Sequence, residues 1–211
     1  MGQRGARRRI LVLAVTAAMT LGTMGSIGAG TPNERVLRIE MFVFRGLDER
    51  QIDMLRREVG AIWAPQAVTV AWSSDETVER VRAVIDRPAL SLPTTGRHDR
   101  WNVASTRVVA GRVTPPIYVS VDAAERVVRG ASPPFSSPEL AGIMVPRVVA
   151  RALAHELAHV LLNTRAHTRR GLLRARFTAD DFLAPARDGF TLDGEQMARA
   201  HQHQALLVVP R

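Results

Sequence analysis

Two histidines and a glutamate form the spacing H-E-x-x-H in the pentapeptide HELAH at residues 155–159. On an α-helix, positions four apart differ by roughly 40°, so His155 and His159 point from the same face. Glu156 lies about 100° further round, too far for a comfortable third ligand but close enough to hold a metal-bound water. The spacing therefore predicts a helix-borne zinc site, with Glu156 as the general base.

A catalytic zinc site takes three protein ligands and leaves one position open. His167 is our preferred third ligand, because its separation from His159 gives the chain room to turn and fold back. Three acidic residues further along the chain stay open as alternatives: Asp180, Asp181 and Glu195. Of the other histidines, His98 lies in a predicted loop, and His201 and His203 point to different faces of the last predicted helix.

The helix that carries the motif is predicted from a long, mostly apolar run at residues 147–162, which contains several alanines. Asn163 follows the last apolar residue and favours the left-handed conformation that ends a helix. Two imidazoles and a carboxylate on a buried helix need polar partners, and a metal ion supplies them.

A strand, an amphipathic helix and a second strand are predicted in the N-terminal half of the chain. Residues 36–44 and 67–73 are rich in β-branched and aromatic side chains, which is typical of strands. Between them, apolar residues recur at helical spacing. Asp48 and Glu49 suit the N-terminus of that helix, and Pro65 ends it.

The middle of the chain allows alternatives. Residues 78–85 fit either a short helix capped by Asp75 or a strand, since both the helical spacing and the β-branched content are present. Residues 88–116 are rich in Pro, Gly, Thr and Arg and predict a loop, with a short strand at 101–104 or at 107–110.

The remaining elements follow from local signals. Residues 117–121 predict a strand, and Asp122 is expected to be the N-cap of a helix at residues 123–128. A second loop, rich in Pro and Ser, is expected at residues 130–138. Residues 190–205 predict a final amphipathic helix.

Composition limits the class of protein. The 211 residues favour one domain, and the absence of cysteine excludes disulfides, Cys-based zinc sites and a catalytic Cys. The net charge of +9 comes with 29 basic residues that are all arginine and are spread along the chain with few aromatics. This pattern argues against a stacking surface, so we expect no nucleic-acid partner. The H-E-x-x-H motif instead favours a peptide or protein substrate, and we expect a monomer.

The N-terminus has the composition of a secretory signal. Four arginines precede an apolar run at residues 10–19, and small residues follow it. We therefore expect a signal peptide at residues 1–30, a single domain at 31–211, and a secreted or periplasmic protein without stable membrane association. The alternative is an uncleaved N-terminal anchor.

The segment RALAHELAHVLLNTRAHTRRGLLRAR, residues 151–176, resembles the active-site segment of metzincin-type zinc metallopeptidases. It is similar in particular to small secreted bacterial members with the pattern H-E-x-x-H-x-L-L-x-x-x-x-H and then G-[IL]-M. Leu162 stands where the standard pattern has a glycine, and Leu173 where the family has the methionine beneath the metal.

The resemblance implies a Zn²⁺ site of His155, His159 and His167, with Glu156 as general base. It implies an α+β fold with a twisted mixed β-sheet, a backing helix and an active-site helix. It also implies that residues 117–121 lie near the edge strand that pairs with an extended substrate.

The expected activity is that of a secreted zinc metallopeptidase, most simply an endopeptidase. Glu156 would assist the attack of a zinc-bound water on the peptide carbonyl and pass the proton to the leaving amine. The alternative is a catalytically inactive zinc-binding protein of the same fold, with a binding or assembly role.

Overall fold

A five-stranded, mostly parallel sheet is the frame of the protein in the computed structural model, which describes residues 35–77, 79–87, 102–131 and 137–204. Its strands are β1 (Arg35–Val43), β2 (Val68–Trp72), β3 (Val81–Asp86), β4 (Ala104–Val109) and β5 (Arg112–Ser120). They lie in the order β2-β1-β3-β5-β4, and β4 is antiparallel to β5 while the other described pairs are parallel. The fold is thus mixed α/β, and β5 lies next to the edge strand β4.

Helices cover the sheet and surround the motif. They are α1 (Glu49–Trp63), α2 (Val121–Arg129), α3 (Pro138–Leu162), α4 (Ala179–Leu183) and α5 (Gly194–Gln204), with a 3₁₀ turn at Ala64–Gln66. Helix α3 packs against α1 and α2 and also contacts β4 and β5. No helix in the described ranges is long and apolar enough to cross a membrane.

The predicted strand–helix–strand unit is confirmed as β1, α1 and β2. The carboxylate of Asp48 accepts a hydrogen bond from the backbone N–H of Gln51 at 2.8 Å, and the Gln51 side chain accepts one from the N–H of Asp48 at 3.1 Å. This reciprocal cap fixes the start of α1 where the acidic pair predicts it. The chain then turns into β2 after the 3₁₀ turn.

Residues 81–86 form β3, so the helical alternative for this segment is wrong. Val81, Ala83 and Ile85 are buried in alternation, as in a strand with one face on the core. Asp75 does not cap a helix, because its carboxylate accepts hydrogen bonds from the N–H and the hydroxyl of Thr77.

The short strand predicted at residues 107–110 is confirmed in part, because β4 includes residues 107–109. The loop predicted around it is wrong, because β4 and the start of β5 form a hairpin there. Positive φ at Ala110 and Gly111 makes the tight turn between them. Pro115 and Pro116 lie where the β4–β5 register shifts, so the backbone N–H that each proline lacks interrupts no regular hydrogen bond between the strands. Residues 88–101 lie outside the described ranges.

Two helix starts differ from the prediction. Ser120, not Asp122, caps α2, since its hydroxyl accepts the N–H of Ala123 at 3.1 Å. Helix α3 begins at Pro138 and continues through Pro146, which removes one N–H from the helix. The carbonyl of Gly142 therefore lacks its usual helical partner. It accepts a hydrogen bond from the Gln51 side chain on α1 at 3.2 Å instead.

The C-terminal region contains one helix that the sequence analysis missed. Thr178 and Asp181 cap each other at the start of the short helix α4. Helix α5 begins at Gly194 rather than at residue 190, because Asp193 accepts the N–H of Gln196 at 2.8 Å and so ends the preceding loop. The predicted signal segment, residues 1–30, lies outside the described ranges.

Candidate metal centre

His155 and His159 project from one face in the last two turns of α3. The helix is buried there because it is built from alanine, leucine and valine. The imidazole rings have centroids 4.6 Å apart and planes at 85°, and their Nε2 atoms are 3.0 Å apart. The four-residue spacing thus brings the two side chains to one point, as the helical geometry predicts.

Each of these imidazoles is held by a backbone carbonyl. The Nδ1 atom of His155 lies 2.6 Å from the carbonyl oxygen of Leu172, and that of His159 lies 2.7 Å from the carbonyl oxygen of Thr164. Because a carbonyl cannot donate, both Nδ1 atoms carry a proton and both Nε2 atoms present a lone pair. Burial lowers the pKa of His155 to about 3 and also lowers the pKa of His159, so both rings are neutral near pH 7.

His167 reaches the same point from beyond the helix. Asn163 has the predicted left-handed conformation, with φ 44° and ψ 48°, and the chain reverses there. The ring centroid of His167 lies 4.8 Å from that of His159 and 5.5 Å from that of His155. One ring nitrogen from each of the three histidines lies within 4.8 Å of the others.

The three histidines have a donor set that fits a metal ion. Two lone pairs 3.0 Å apart repel each other unless a cation lies between them. At metal–nitrogen distances of about 2.0–2.1 Å, two ligands of a tetrahedral zinc ion lie roughly 3.3 Å apart, close to this separation. The side chain of His167 is exposed and has room to close the remaining gap.

Glu156 lies beside this cluster, between α3 and the edge strand. Its side chain is buried, and its Oε2 atom accepts a hydrogen bond from the hydroxyl of Thr106 on β4 at 2.9 Å. Burial raises the pKa of Glu156 to about 7, against the hydrogen bonds from Thr106, which lower it. The carboxyl group is thus held by β4 and does not fill the position of a third ligand.

Gly171 shapes the loop that supplies the carbonyl for His155. It has φ +76°, and a Cβ built on it would overlap the carbonyl oxygen of Thr191. That oxygen accepts the N–H of Leu172 at 2.7 Å, which holds the residue whose carbonyl meets His155. A glycine is needed here for both the left-handed backbone and the close approach.

An aromatic cluster supports the other side of His155. The ring of Phe177 meets the imidazole edge-on, with centroids 5.6 Å apart, and stacks on Phe190 at 5.0 Å. Leu173, at the position of the family's methionine, is buried nearby. The sequence analysis missed the cluster, although closely spaced phenylalanines were a signal that could have found it.

A second buried polar cluster lies one turn earlier on α3. Arg151, with no exposed surface, donates to Glu58 on α1 at 2.9 Å, and Arg187 donates to the other oxygen of that carboxylate at 2.6 Å. The other Arg151 nitrogens donate to backbone carbonyls in and just after α4, those of Asp181, Phe182 and Ala186. This cluster ties α1, α3 and the C-terminal region together, and local sequence patterns gave no sign of it.

The structure does not bring the acidic alternatives to the metal centre. Asp181 caps α4 and forms an ion pair with Arg174 at 2.8 Å. Glu195 is exposed and pairs with Arg199 on its own helix. In the described part of the chain, the group that could hold a metal consists of the three histidines alone, without Asp180. His201 and His203 lie on α5, and His98 lies outside the described ranges.

Comparison with known proteins assigns no family to the chain. No protein-family model matches it, and no curated protein is significantly similar to it.

Proposed function

We propose that this protein is a zinc metallopeptidase of the zincin type, in which His155, His159 and His167 hold the metal and Glu156 is the general base. The observation that carries the proposal is the pair of Nε2 atoms, which lie 3.0 Å apart. Each presents a lone pair, because a backbone carbonyl holds the proton on the Nδ1 atom of the same ring. Neutral imidazoles with a carboxylate beside them, and no cysteine in the chain, favour zinc among the common metals.

The architecture supports the same proposal. The described chain has a mixed sheet, a helix α1 behind α3, and a long helix that carries the motif, which is the arrangement implied by the resemblance to metzincins. Phe177 packs against His155, and Leu173, at the position of the metzincin methionine, is buried. Since that methionine supports the site by packing, apolar side chains can replace it.

Each residue has a distinct role in the proposed hydrolysis. A divalent metal bound there would polarise a carbonyl and lower the pKa of a water towards ~7. Glu156 accepts the proton of the attacking water and delivers it to the leaving amine. The hydroxyl of Thr106 donates to the Oε2 atom of Glu156 and so holds the carboxylate beside the histidines. The carbonyls of Leu172 and Thr164 keep the two imidazoles in the ligand tautomer.

The edge strand β4 gives the substrate a place to lie. No other described strand pairs with its outer edge, so its backbone groups are available to an extended peptide. Thr106 of β4 contacts Glu156, so a peptide along this strand passes beside the proposed base. We propose further that residues 1–30 direct the protein out of the cytoplasm, on their composition.

The test compares the wild type with Glu156→Gln, which keeps size and polarity but removes the base. Bound zinc is measured by elemental analysis, and cleavage by the loss of unfolded casein on gels. We expect both proteins to hold one equivalent of zinc, and the variant to cleave at least about a hundredfold more slowly. Equal cleavage by the two zinc-loaded proteins contradicts the proposal, and zinc without cleavage in the wild type supports an inactive zinc-binding protein instead.

A further inference from the structure

Two segments border the metal centre, and neither contains an acidic residue. The hairpin segment (residues 102–119) includes β4 and β5, and the loop segment (residues 157–177) runs from the end of α3 to α4. Together they contain seven arginines: Arg107, Arg112, Arg165, Arg169, Arg170, Arg174 and Arg176. Arginine is spread along the whole chain, but every aspartate and glutamate of the described residues lies outside these two segments.

Six of these arginines have no acidic partner within the described chain. Arg174 pairs with Asp181, whereas the other six are exposed and form no ion pair with a described residue. Elsewhere exposed arginines are commonly paired, as in the contacts of Arg87 with Asp122 and of Arg129 with Glu125. The border of the centre therefore carries a positive charge that the described chain does not neutralise.

The hairpin arginines adjoin residues that touch α3. Arg107 follows Thr106, whose hydroxyl meets Glu156. Arg112 precedes Val113, whose N–H donates to the side chain of Asn163 at 2.9 Å. Both arginines thus lie next to the points where the hairpin is attached to the motif helix.

The loop arginines adjoin residues of the centre itself. Arg165 follows Thr164, whose carbonyl holds His159. Arg169 and Arg170 come two and three residues after His167, and consecutive Cα atoms are about 3.8 Å apart, so their charges lie within one or two Debye lengths of the site. Because successive side chains of a strand point to opposite faces, Arg107 lies on the other face of β4 from Thr106, over Tyr118. A substrate lying in the centre therefore meets the positive charge of the loop segment first.

We propose that the centre takes peptide segments rich in aspartate and glutamate around the bond to be cleaved. This inference rests on the proposed function and names its substrate class. The unpaired arginines of the loop segment raise the local concentration of an anionic peptide and favour it over a neutral one. Arginine also binds carboxylates through two parallel hydrogen bonds.

Nucleic acid is a less suitable anion for this surface. Single-stranded nucleic acid is bound by exposed aromatic faces as well as by charge. Within the two segments, the described aromatic rings are half-buried and already engaged: Tyr118 lies under Arg107, and Phe177 stacks on Phe190. An acidic peptide is bound through its charge and does not need aromatic faces to stack on, so it fits these contacts better.

The test measures binding apart from cleavage. Three fluorescein-labelled peptides of equal length share one apolar centre and carry glutamates, glutamines or lysines on both sides of it. Each is titrated with the zinc-loaded Glu156→Gln protein, and binding is followed by fluorescence anisotropy. We expect the glutamate peptide to bind about tenfold more tightly than the glutamine peptide at low salt, and this preference to shrink as salt rises.

A matched pair of double variants locates the effect. R169Q/R170Q removes two charges from the loop segment, and R50Q/R126Q removes two from exposed, unpaired arginines of α1 and α2. We expect the first pair to lower affinity for the glutamate peptide by about threefold or more and the second to leave it unchanged. Equal losses in the two variants, or no preference for the glutamate peptide, overturn the inference.

Two further arms separate this inference from the others. Tighter binding of an oligothymidylate of the same charge than of the glutamate peptide overturns it in favour of a nucleic-acid site. Wild-type protein that cleaves all three peptides equally overturns it while the proposed peptidase function holds. A zinc-loaded protein that prefers the glutamate peptide without cleaving it upholds the acidic-peptide site and contradicts the peptidase.

Discussion

Two polar clusters lie one turn apart on α3, and they differ in how their hydrogen bonds are completed. Around Arg151, each nitrogen of the guanidinium donates to the carboxylate of Glu58 or to a backbone carbonyl. Around His155 and His159, the outer nitrogens are satisfied by carbonyls, but the inner Nε2 atoms face each other with lone pairs. We call the group around Arg151 the complete cluster. We call the pair of His155 and His159 the open cluster, because its Nε2 atoms need a cation between them.

The difference separates a structural role from a chemical one. A buried polar network that satisfies all of its members holds elements together, and the Arg151 cluster joins α1, α3 and the chain after α4. A buried cluster that leaves acceptors facing each other is costly without a ligand. Helix α3 thus carries a structural ion-pair cluster at Arg151 and, four residues later, a candidate metal-binding site at His155.

The largest effect is expected from breaking the complete cluster. Arg151→Met removes a fully buried positive charge. It also removes the hydrogen-bond donor of Glu58 Oε1 and of three backbone carbonyls. We expect the free energy of unfolding to fall by about 3–5 kcal/mol, as for other buried pairs that lose one partner. Urea denaturation of the metal-free protein measures it.

Arg147→Met is the matched control for that substitution. Arg147 is on the same helix and half-buried, but its guanidinium donates to one backbone carbonyl, that of Leu183, at 3.0 Å. We expect a loss of about 1 kcal/mol. The contrast between the clusters is wrong if Arg151→Met costs no more than this control.

The next effect comes from filling the open cluster. Zinc at about a hundred times its dissociation constant should raise the free energy of unfolding by about 2.7 kcal/mol, because it binds the folded state. His167→Ala should remove most of this gain and leave the metal-free stability nearly unchanged, since His167 is exposed. Thermal unfolding with zinc and with EDTA checks both statements, and a zinc gain that survives in the variant excludes His167 as a ligand.

The open cluster was more predictable than the complete one, for a physical reason. His155 and His159 meet through helical spacing, and Asn163 ends the helix through its own backbone preference, so local sequence contains both. Arg151 and Glu58 come from helices far apart in sequence. Such a pairing depends on how α1 packs on α3, and no local pattern encodes that packing.

The same limit explains the errors in the fold. The helix was predicted to begin at residue 147, whereas α3 begins at Pro138 and passes through Pro146, because the carbonyl exposed by that proline finds a donor in Gln51 of another helix. The segment that became β3 fitted two periodicities, and pairing with β1 and β5 decided for the strand. The capped start of α1 was predictable from local residues, whereas the start of α3 and the choice of a strand for β3 depend on tertiary partners.

The smallest effect concerns the loop that keeps the open cluster in its ligand tautomer. Gly171 and Gly111 both have positive φ, at +76° and +78°, but a Cβ at Gly111 meets no atom within 4 Å, whereas one at Gly171 overlaps the carbonyl of Thr191. Gly111→Ala should therefore cost about 1 kcal/mol from backbone strain alone. Gly171→Ala should cost about 1 kcal/mol more and displace the Leu172 carbonyl from His155.

The two alanine variants should differ in zinc affinity as well as in stability. Loss of the partner that orients a ligand typically weakens metal binding, so we expect about a tenfold higher zinc dissociation constant in Gly171→Ala and no change in Gly111→Ala. Competition with a chromophoric chelator measures both constants. Equal zinc affinity in the two variants would mean that the Leu172 carbonyl does not orient His155, and that the spacing on α3 alone defines the site.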